Sequence, residues 1–254
     1  MRFRDMCTLR IGFGDHLPRR RFSCCEKREW RDGILDIYRR MKAKAVAGPY
    51  EVWVNGLTFA VMPEVYAPGF FTDTEWFAKA LPEIVGQGSL LEIGTGTGVI
   101  AICCARNGAR VVATDLNPAA VRNAEVNFQR YGLNLDARHG NLYEAVKPGE
   151  TFDFIFWAHP FNNWETPVHD ILLKSGLDYR YEGLTGYLIG AKEHLRPNGK
   201  LLLGTGDTAD GDTVSRVAYE NGYTIRIRAQ TKARLEARGD RTITYVLCEM
   251  APFL

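Results

Sequence analysis

A glycine-rich segment followed by an acidic residue carries the strongest chemical signal in this sequence. Gly94, Gly96 and Gly98 follow a short apolar run that begins at Ser89, and Asp115 ends a second apolar run. Glycine lacks a Cβ atom, so the backbone can adopt a positive φ and a ligand can approach it closely. A carboxylate at the end of the second strand can accept hydrogen bonds from ribose hydroxyls. The segment therefore predicts a strand–turn–helix–strand unit that binds a nucleoside.

The spacing of the glycines separates two kinds of nucleoside ligand. The dinucleotide pattern is G-x-G-x-x-G/A, but the residue at its last position here is Val99. The glycines follow G-x-G-x-G instead, and Glu92 precedes the first of them by two positions. This spacing and Glu92 both oppose an NAD or flavin oxidoreductase, which is kept only as a remote alternative.

Two consecutive stretches, LEIGTGTGVIAI and VVATDLNPAAV, resemble the first two motifs of the class I S-adenosylmethionine (SAM)-dependent methyltransferases. The resemblance implies that the glycine loop contacts the amino-acid part of SAM and that Asp115 holds both ribose hydroxyls. It implies that Asn141 accepts a hydrogen bond from the adenine amine, with a simple turn asparagine as the alternative. The residues expected to bind SAM, and its product S-adenosyl-L-homocysteine, are Thr72, Glu92, Gly94, Thr95, Gly96, Gly98, Asp115, Leu116, Asn117, Asn141, Leu142 and Ala158.

The segment before the glycines narrows the resemblance to one branch. A predicted hairpin with an Asn55-Gly56 turn, the stretch PGFFTDTE and a helix precede the motif. This layout resembles the release-factor glutamine N5-methyltransferases and related RNA and small-molecule amino-methyltransferases. In that branch the segment matching Phe71 to Glu75 lies over the SAM pocket, which implies roles there for Thr72 and Thr74. Packing between segments is the alternative role for Phe71.

One motif departs from the pattern of this branch. Its members end the fourth strand in N/D/S-P-P-Y/F, whose first residue accepts a hydrogen bond from the substrate nitrogen. Here the four positions are Ala158, His159, Pro160 and Phe161, so proline and aromatic ring are retained and the polar acceptor is missing. The departure argues against the amide or adenine substrate usual in the branch.

Neighbouring residues are the candidates to replace that acceptor. His159 is the candidate general base, because the reference pKa of histidine is near neutrality, and Asn162 is the candidate positioning group. The alternative for His159 is a structural histidine that does not touch substrate. An aromatic wall could stack on a flat or cationic acceptor, and the residues expected to contact the substrate are Phe71, Pro160, Phe161, Trp164 and Tyr179. No metal-ligand cluster occurs, and none is required for this reaction.

The fold prediction is α/β: a doubly wound, Rossmann-like sheet with a C-terminal antiparallel strand pair and an N-terminal helix and β-hairpin extension. Apolar strands alternate with helices after residue 86. Three segments are expected, namely a basic, poorly ordered tail (1–24), the helix and hairpin (25–85) and the SAM-dependent methyltransferase domain (86–254). A loop and helix are expected over 166–180, and a charged loop over 232–241.

Composition excludes few functions. The net charge is +2, with 46% hydrophobic and 24% charged residues, so nucleic acid is a possible partner but not a favoured one. No apolar run approaches the roughly 20 residues of a membrane span, and the N-terminus has no apolar signal segment. We therefore expect a cytoplasmic protein without a membrane partner. Its six cysteines are expected to be reduced structural thiols, and no oligomeric state follows from the sequence.

These observations favour methyl transfer from SAM to a small molecule, at a nitrogen atom. Two alternatives remain open. One is the same chemistry on RNA or on a protein side chain, weakly favoured by the basic tail. The other is a catalytically silent SAM-binding domain that acts as a partner or regulator, and the missing acceptor at Ala158 is its only support.

Overall fold

The computed structural model describes residues 15–253 of the protein, and its first helix is α1 (Cys24–Ala45). Ser23 and Glu26 form a reciprocal capping box at its start, which satisfies backbone amides of the first turn. One face is buried, as the spacing of its apolar residues predicts. That face carries Trp30, Ile34, Ile37, Tyr38 and Met41.

A hairpin and a second helix complete the N-terminal extension. Strands β1 (Tyr50–Val54) and β2 (Leu57–Val61) pair antiparallel around Asn55 and Gly56, whose φ angles of 51° and 79° suit a two-residue hairpin turn. Helix α2 (Asp73–Val85) follows. The hairpin is tied to the rest of the protein by Asn127, whose amide exchanges two hydrogen bonds of 2.9 Å with the backbone of Ala60.

The central sheet has seven strands. The chain passes from β3 (Ser89–Ile93) through α3 (Val99–Arg106) to β4 (Arg110–Asp115), then α4 (Pro118–Arg130), β5 (Asp136–His139) and β6 (Phe152–Ala158). After a two-stranded parallel pair, β7 (Asn162–Trp164) and β8 (Leu177–Tyr179), it continues as α5 (Glu182–His194), β9 (Leu195–Gly206), α6 (Gly211–Glu220), β10 (Tyr223–Arg234) and β11 (Thr242–Pro252).

The strand order is β10-β11-β9-β6-β3-β4-β5, and β11 is antiparallel to both of its neighbours. Residues of α2, α3 and α4 pack together against one face of the sheet, and residues of α5 and α6 against the other. The doubly wound α/β prediction is confirmed, including the C-terminal antiparallel pair. Among residues 15–253, no helix is both long and apolar enough to cross a membrane.

Two stretches differ from the expectations for them. The expected helix within 166–180 is replaced by a short 3-10 turn at Leu173–Ser175 and by β8. The expected loop over 232–241 is shorter, because β10 continues to Arg234 and pairs with β11 up to Thr242. Both differences arise from pairing between consecutive strands, β7 with β8 and β10 with β11.

Residues 15–23 lie along the sheet, although they belong to the segment expected to be a poorly ordered tail. The Asp15 amide donates to the carbonyl of Ile225 at 2.8 Å, and its carboxylate accepts from the amide of Ile227 at 2.7 Å. Leu17 is buried in the main core. Residues 1–14, the rest of the expected tail, lie outside the described residues.

Candidate active site

A cavity of about 670 Å³ lies at the carboxyl ends of β3, β4 and β6. Ligands of open α/β sheets bind at this edge, outside the strand ends. The cavity extends from the glycine turn after β3 to the segment 167–179, which forms its opposite wall. Its volume falls within the roughly 300–1,000 Å³ typical of small-molecule sites.

The three glycines of the motif have two different roles. Gly94 and Gly96 line the cavity with φ angles of 70° and 56°, and a Cβ atom on Gly96 would meet nothing within 4 Å. Gly98 has a φ of 80°, but a Cβ there would lie 2.7 Å from the ring of Phe128 on α4. Gly98 therefore allows α4 to pack closely behind the turn and does not line the cavity.

Asp115 connects the end of β4 to the glycine turn. Its Oδ2 accepts a hydrogen bond from the amide of Gly96 at 2.9 Å, and its Oδ1 accepts one from the amide of Asn117 at 2.8 Å. Burial raises the pKa of Asp115, an effect opposed by these two bonds. The side chain remains half-buried and lines the cavity, so its oxygens can accept further hydrogen bonds from a ligand.

The cavity is rich in carboxylates. Among the described residues that line it, the acidic ones are Glu64, Asp73, Glu92, Asp115, Asp178 and Glu182, and Lys174 is the only lysine or arginine. Glu92 is 2% exposed and accepts a hydrogen bond of 2.7 Å from the hydroxyl of Thr95. Burial raises its pKa to about 8. Such a lining favours a cationic ligand over an anionic one.

The chain alternates between two cavities after β6. Pro160 lines the large cavity, His159, Phe161 and Asn162 line a second cavity of about 50 Å³, and Ala158 lines both. Successive residues of an extended chain point to opposite sides, which explains why Pro160 lies apart from His159 and Phe161. Asn162 does not follow this alternation, so only His159, Pro160 and Phe161 could have been separated on this sequence signal.

The structure does not place His159 in the position expected of a base. Its ring is 1% exposed, its Nε2 is 2.9 Å from the hydroxyl of Thr205, and it does not line the large cavity. Burial lowers its pKa to about 3, so the ring is neutral near pH 7. Asn162 donates its amide hydrogen to the carbonyl of Gly176 at 2.8 Å. Both side chains therefore face away from the glycine turn, on the far side of β6.

Four other candidates lie apart from the large cavity. The hydroxyl of Thr72 donates to the carbonyl of Arg234, Phe71 and Phe161 line the second cavity, and the ring of Trp164 lies 4.7 Å below the guanidinium of Arg31. The remaining candidates do line the large cavity. They are Glu92, Gly94, Thr95, Gly96, Asp115, Leu116, Asn117, Asn141, Leu142, Ala158, Pro160 and Tyr179.

Several cavity residues were not among the sequence candidates. Asp178 accepts hydrogen bonds of 3.0 Å from the amides of Gly183 and Leu184, which fixes the start of α5 against the cavity. Tyr66 and Asp73 reach the cavity from the N-terminal extension. The sequence contains no spacing pattern that brings them there, because the approach depends on how the extension packs on the sheet.

The lining fits a SAM molecule. Two glycines expose their backbone to the cavity, a half-buried carboxylate follows the second strand, and the acidic side chains of the lining suit a ligand that carries a positive charge. Asn141 and Leu142 stand beside Asp115, at the place expected for adenine contacts.

Comparison with known proteins agrees with this geometry. A methyltransferase domain model matches residues 90–176. A candidate protein N5-glutamine methyltransferase of Methanocaldococcus jannaschii is 28% identical over 193 residues, covering 72% of this chain and 93% of that protein. The release factor glutamine methyltransferase of Xylella fastidiosa is 37% identical over 168 residues, or 60% of this chain and 58% of that protein. The chain thus spans little more than half of the second relative.

Solved structures share the fold. A methyltransferase from Pyrococcus furiosus has a TM-score of 0.55 at 21% identity, with 86% of this chain and 98% of that chain covered. A 16S rRNA methyltransferase from T. thermophilus, solved with AdoMet and guanosine, also has a TM-score of 0.55, at 20% identity over 80% of this chain and 50% of that chain. The chain therefore contains a methyltransferase domain on a Rossmann-like fold, and it resembles the class I SAM-dependent methyltransferases of the branch that contains the release factor glutamine methyltransferases.

Proposed function

We propose that the protein transfers a methyl group from SAM to a nitrogen atom of a small molecule. One observation carries this proposal: a single continuous cavity contains the glycine turn and Asp115 at one end and Ala158, Pro160 and the segment 167–179 at the other. The first end suits the cofactor, and the second leaves room for an acceptor beside it.

Bound SAM supplies an electrophilic methyl group and leaves as a neutral thioether. The residues of this chain bind SAM and orient it. Asp115 accepts hydrogen bonds from ribose hydroxyls while its two backbone bonds keep the carboxylate fixed. The open space at Gly96 allows the amino-acid part to lie against the turn. Methyl transfer is an in-line displacement, so orientation of the nucleophile is the main requirement.

A segment of the chain covers the end of the cavity assigned to the acceptor, and this supports a small acceptor. Helix α1 holds the segment 164–175 in place through several contacts: Tyr38 with Ser175 at 3.1 Å, Arg31 with Glu165 at 3.6 Å, and Lys42 with Asp170. The segment lies across the cavity wall, where a folded macromolecular substrate would have to approach. A small molecule can enter without displacing it.

The relatives suggest another acceptor, the glutamine side chain of a release factor. The residue that accepts a hydrogen bond from the substrate nitrogen in that branch corresponds to Ala158 here, which has no polar group. This difference argues against the same amide as acceptor. RNA is disfavoured by the lining of the cavity, in which acidic residues outnumber Lys174, since ionised carboxylates repel phosphates.

Calorimetric titration with S-adenosylhomocysteine tests the cofactor site. Wild-type protein is expected to bind, and Asp115→Asn is expected to weaken binding roughly 10- to 100-fold through loss of charged hydrogen bonds. Asp212→Asn is the matched control, because this carboxylate is exposed, does not line the cavity and pairs with Arg19. NAD is the comparator ligand. Binding of NAD in preference to S-adenosylhomocysteine would overturn the proposal.

Release of S-adenosylhomocysteine from SAM then tests the acceptor. Small nitrogen compounds, a release factor and RNA are compared at equal SAM concentration. Turnover with a small compound supports the proposal, and turnover with the release factor or RNA alone contradicts its acceptor. SAM binding without transfer to any of the three would favour the catalytically silent alternative.

A further inference from the structure

The two cavities meet at a wall of four residues. Tyr66, Asp73, Ala158 and Ser175 line both of them. Ala158 ends β6, at the position where the branch that this sequence resembles has a polar group for the substrate nitrogen. The only carboxylate in this wall is that of Asp73, at the start of α2, so the wall receives its acidic group from a different part of the chain.

Hydrogen bonds hold one of the two carboxylate oxygens of Asp73. Its Oδ1 accepts hydrogen bonds from the hydroxyl of Tyr66 at 2.9 Å and from the amide of Thr74 at 2.7 Å. Within residues 15–253, Oδ2 has no side-chain hydrogen-bond partner and the carboxylate forms no ion pair. Burial raises the pKa of Asp73. A carboxylate in this setting requires a positive partner to remain charged at low cost.

The surroundings of Asp73 suit a cation. Tyr66 and Phe71 are stacked with ring centroids 5.7 Å apart, Tyr38 packs on Phe71 at 5.7 Å, and Tyr245 lies in the lining of the second cavity. The faces of aromatic rings attract cations. No lysine or arginine among the described residues lines the second cavity, so none of these side chains supplies the positive charge.

Two polar atoms at the second cavity also lack partners. The Nδ1 of His159 and the Nε1 of Trp30 are buried and have no hydrogen-bond partner among the described residues, and both residues line this cavity. Buried polar groups are hydrogen-bonded in the great majority of cases. The cavity that Asp73 lines therefore also presents two polar atoms that a ligand could bind.

We infer that Asp73 binds the acceptor nitrogen and that the acceptor is an amine, cationic in solution, in place of the neutral amide of the related enzymes. The inference rests on the proposed methyl transfer. The bound ammonium gives one proton to the Asp73 carboxylate. The freed amine nitrogen then forms a bond to the methyl carbon as the carbon–sulfur bond breaks, with its electron pair left on sulfur. The product is a methylated ammonium, and its positive charge replaces that of the sulfonium.

The test uses three probes that share one aromatic body: tyramine, the corresponding alcohol tyrosol, and 4-hydroxyphenylacetamide. Their affinities are measured by calorimetry on the protein saturated with S-adenosylhomocysteine. Tyramine is expected to bind at least about tenfold more tightly than either neutral probe, because only the amine pairs with a half-buried carboxylate. Equal affinity for the amine and the amide would overturn the inference.

Asp73→Asn is the decisive variant, because it keeps the shape and removes the charge. It is expected to abolish the preference for tyramine and to change the affinity for S-adenosylhomocysteine and SAM by less than about twofold. Glu75→Gln is the matched control, an exposed carboxylate on the same helix that pairs with Lys79. If Asp73→Asn lost affinity for SAM but still preferred tyramine, Asp73 would contact the sulfonium of the cofactor and not the acceptor. That result would overturn the inference.

A second variant keeps the test valid if Asp73→Asn does not fold. Tyr66→Phe removes the hydroxyl that holds Oδ1 and leaves the aromatic wall intact, so it is expected to reduce the preference for tyramine without abolishing it. An unchanged preference would count against the inference. Failure of the wild-type protein to bind S-adenosylhomocysteine would instead overturn the proposed function, so the two failures are distinguishable.

Discussion

The imidazole Nε2 of His159 lies 2.9 Å from the hydroxyl oxygen of Thr205, and both side chains are buried in the sheet. This hydrogen bond connects the end of β6 to the neighbouring strand β9. The same bond turns the ring away from the cavity that contains the glycine turn. His159 therefore stabilises the edge of the sheet at which the cavity forms, and its protonation affects the fold before it affects chemistry.

Acid should destabilise the protein through His159. Burial lowers its pKa from the usual 6.5 to about 3, so the unfolded chain binds a proton that the folded chain does not. Above about pH 6.5 the titration of His159 does not affect stability. The free energy of unfolding decreases as the pH falls from 6.5 towards 3. In denaturant titrations, the free energy of unfolding of the wild type should fall more steeply over this range than that of His159→Gln, by up to about 1.4 kcal/mol per pH unit.

The pH dependence of kcat/KM should not depend on His159, in contrast to the pH dependence of stability. With a small amine acceptor, the wild type and His159→Gln are expected to share the same acidic limb of kcat/KM against pH, since a neutral buried ring does not titrate near pH 6.5. A limb near 6.5 that disappears in His159→Gln would restore His159 as the base. If the free energies of unfolding of the wild type and of His159→Gln changed in parallel at all pH values, this would contradict a buried, neutral ring at His159.

The glycine turn illustrates what the sequence makes predictable and what it does not. The motif spacing was enough to predict β3, α3, β4 and the carboxylate of Asp115, because those features are encoded within one short segment. The separate role of Gly98 was not predictable from spacing. It depends on Phe128, thirty positions away, whose ring occupies the space that a side chain at Gly98 would need.

The acceptor end of the site shows the same contrast. The motif itself shows the loss of a polar group at Ala158, and it offers His159 and Asn162 as replacements only because they are sequence neighbours. Both of them line the second cavity, and neither lines the large one. Asp73 comes from the N-terminal extension and reaches Ala158 only through the packing of α2 and Tyr66 against the sheet, a tertiary relationship that no local pattern encodes.

Gly96→Ala and Gly98→Ala form a matched pair that separates ligand binding from packing. Both glycines have positive φ angles, 56° and 80°, so alanine introduces backbone strain of about 1–2 kcal/mol at either site. Only at Gly98 does the new methyl group also collide with Phe128. Gly98→Ala should therefore lower the free energy of unfolding by at least about 2 kcal/mol, and by more than Gly96→Ala.

Ligand affinity should show the reverse order. At Gly96 the new methyl group projects into the space assigned to the cofactor, so Gly96→Ala is expected to weaken S-adenosylhomocysteine binding by about tenfold or more. Gly98→Ala should bind nearly normally once folded. Thermal unfolding and calorimetry on both variants check the pair. A larger loss of affinity in Gly98→Ala than in Gly96→Ala would mean that the two roles are assigned the wrong way round.

Glu92 should produce a pH dependence of the opposite sign to that of His159. It is 2% exposed, and burial raises its pKa from the usual 4.5 to about 8, with the charge of Asp115 adding to the effect. Between these two values the unfolded chain loses a proton that the folded chain retains. Stability therefore falls as the pH rises from about 4.5 to 8, and is constant on either side of that window as far as Glu92 is concerned.

Glu92→Gln removes this titration and keeps a carbonyl oxygen for the hydroxyl of Thr95. In the cofactor-free protein, the variant should gain stability relative to the wild type as the pH rises through the window, with a slope no steeper than about 1.4 kcal/mol per pH unit. Denaturant unfolding at pH 5, 6.5 and 8 measures the difference, with Glu75→Gln as an exposed control. A difference that stays constant from pH 5 to pH 8 would show that Glu92 is already ionised in the folded protein, against this prediction.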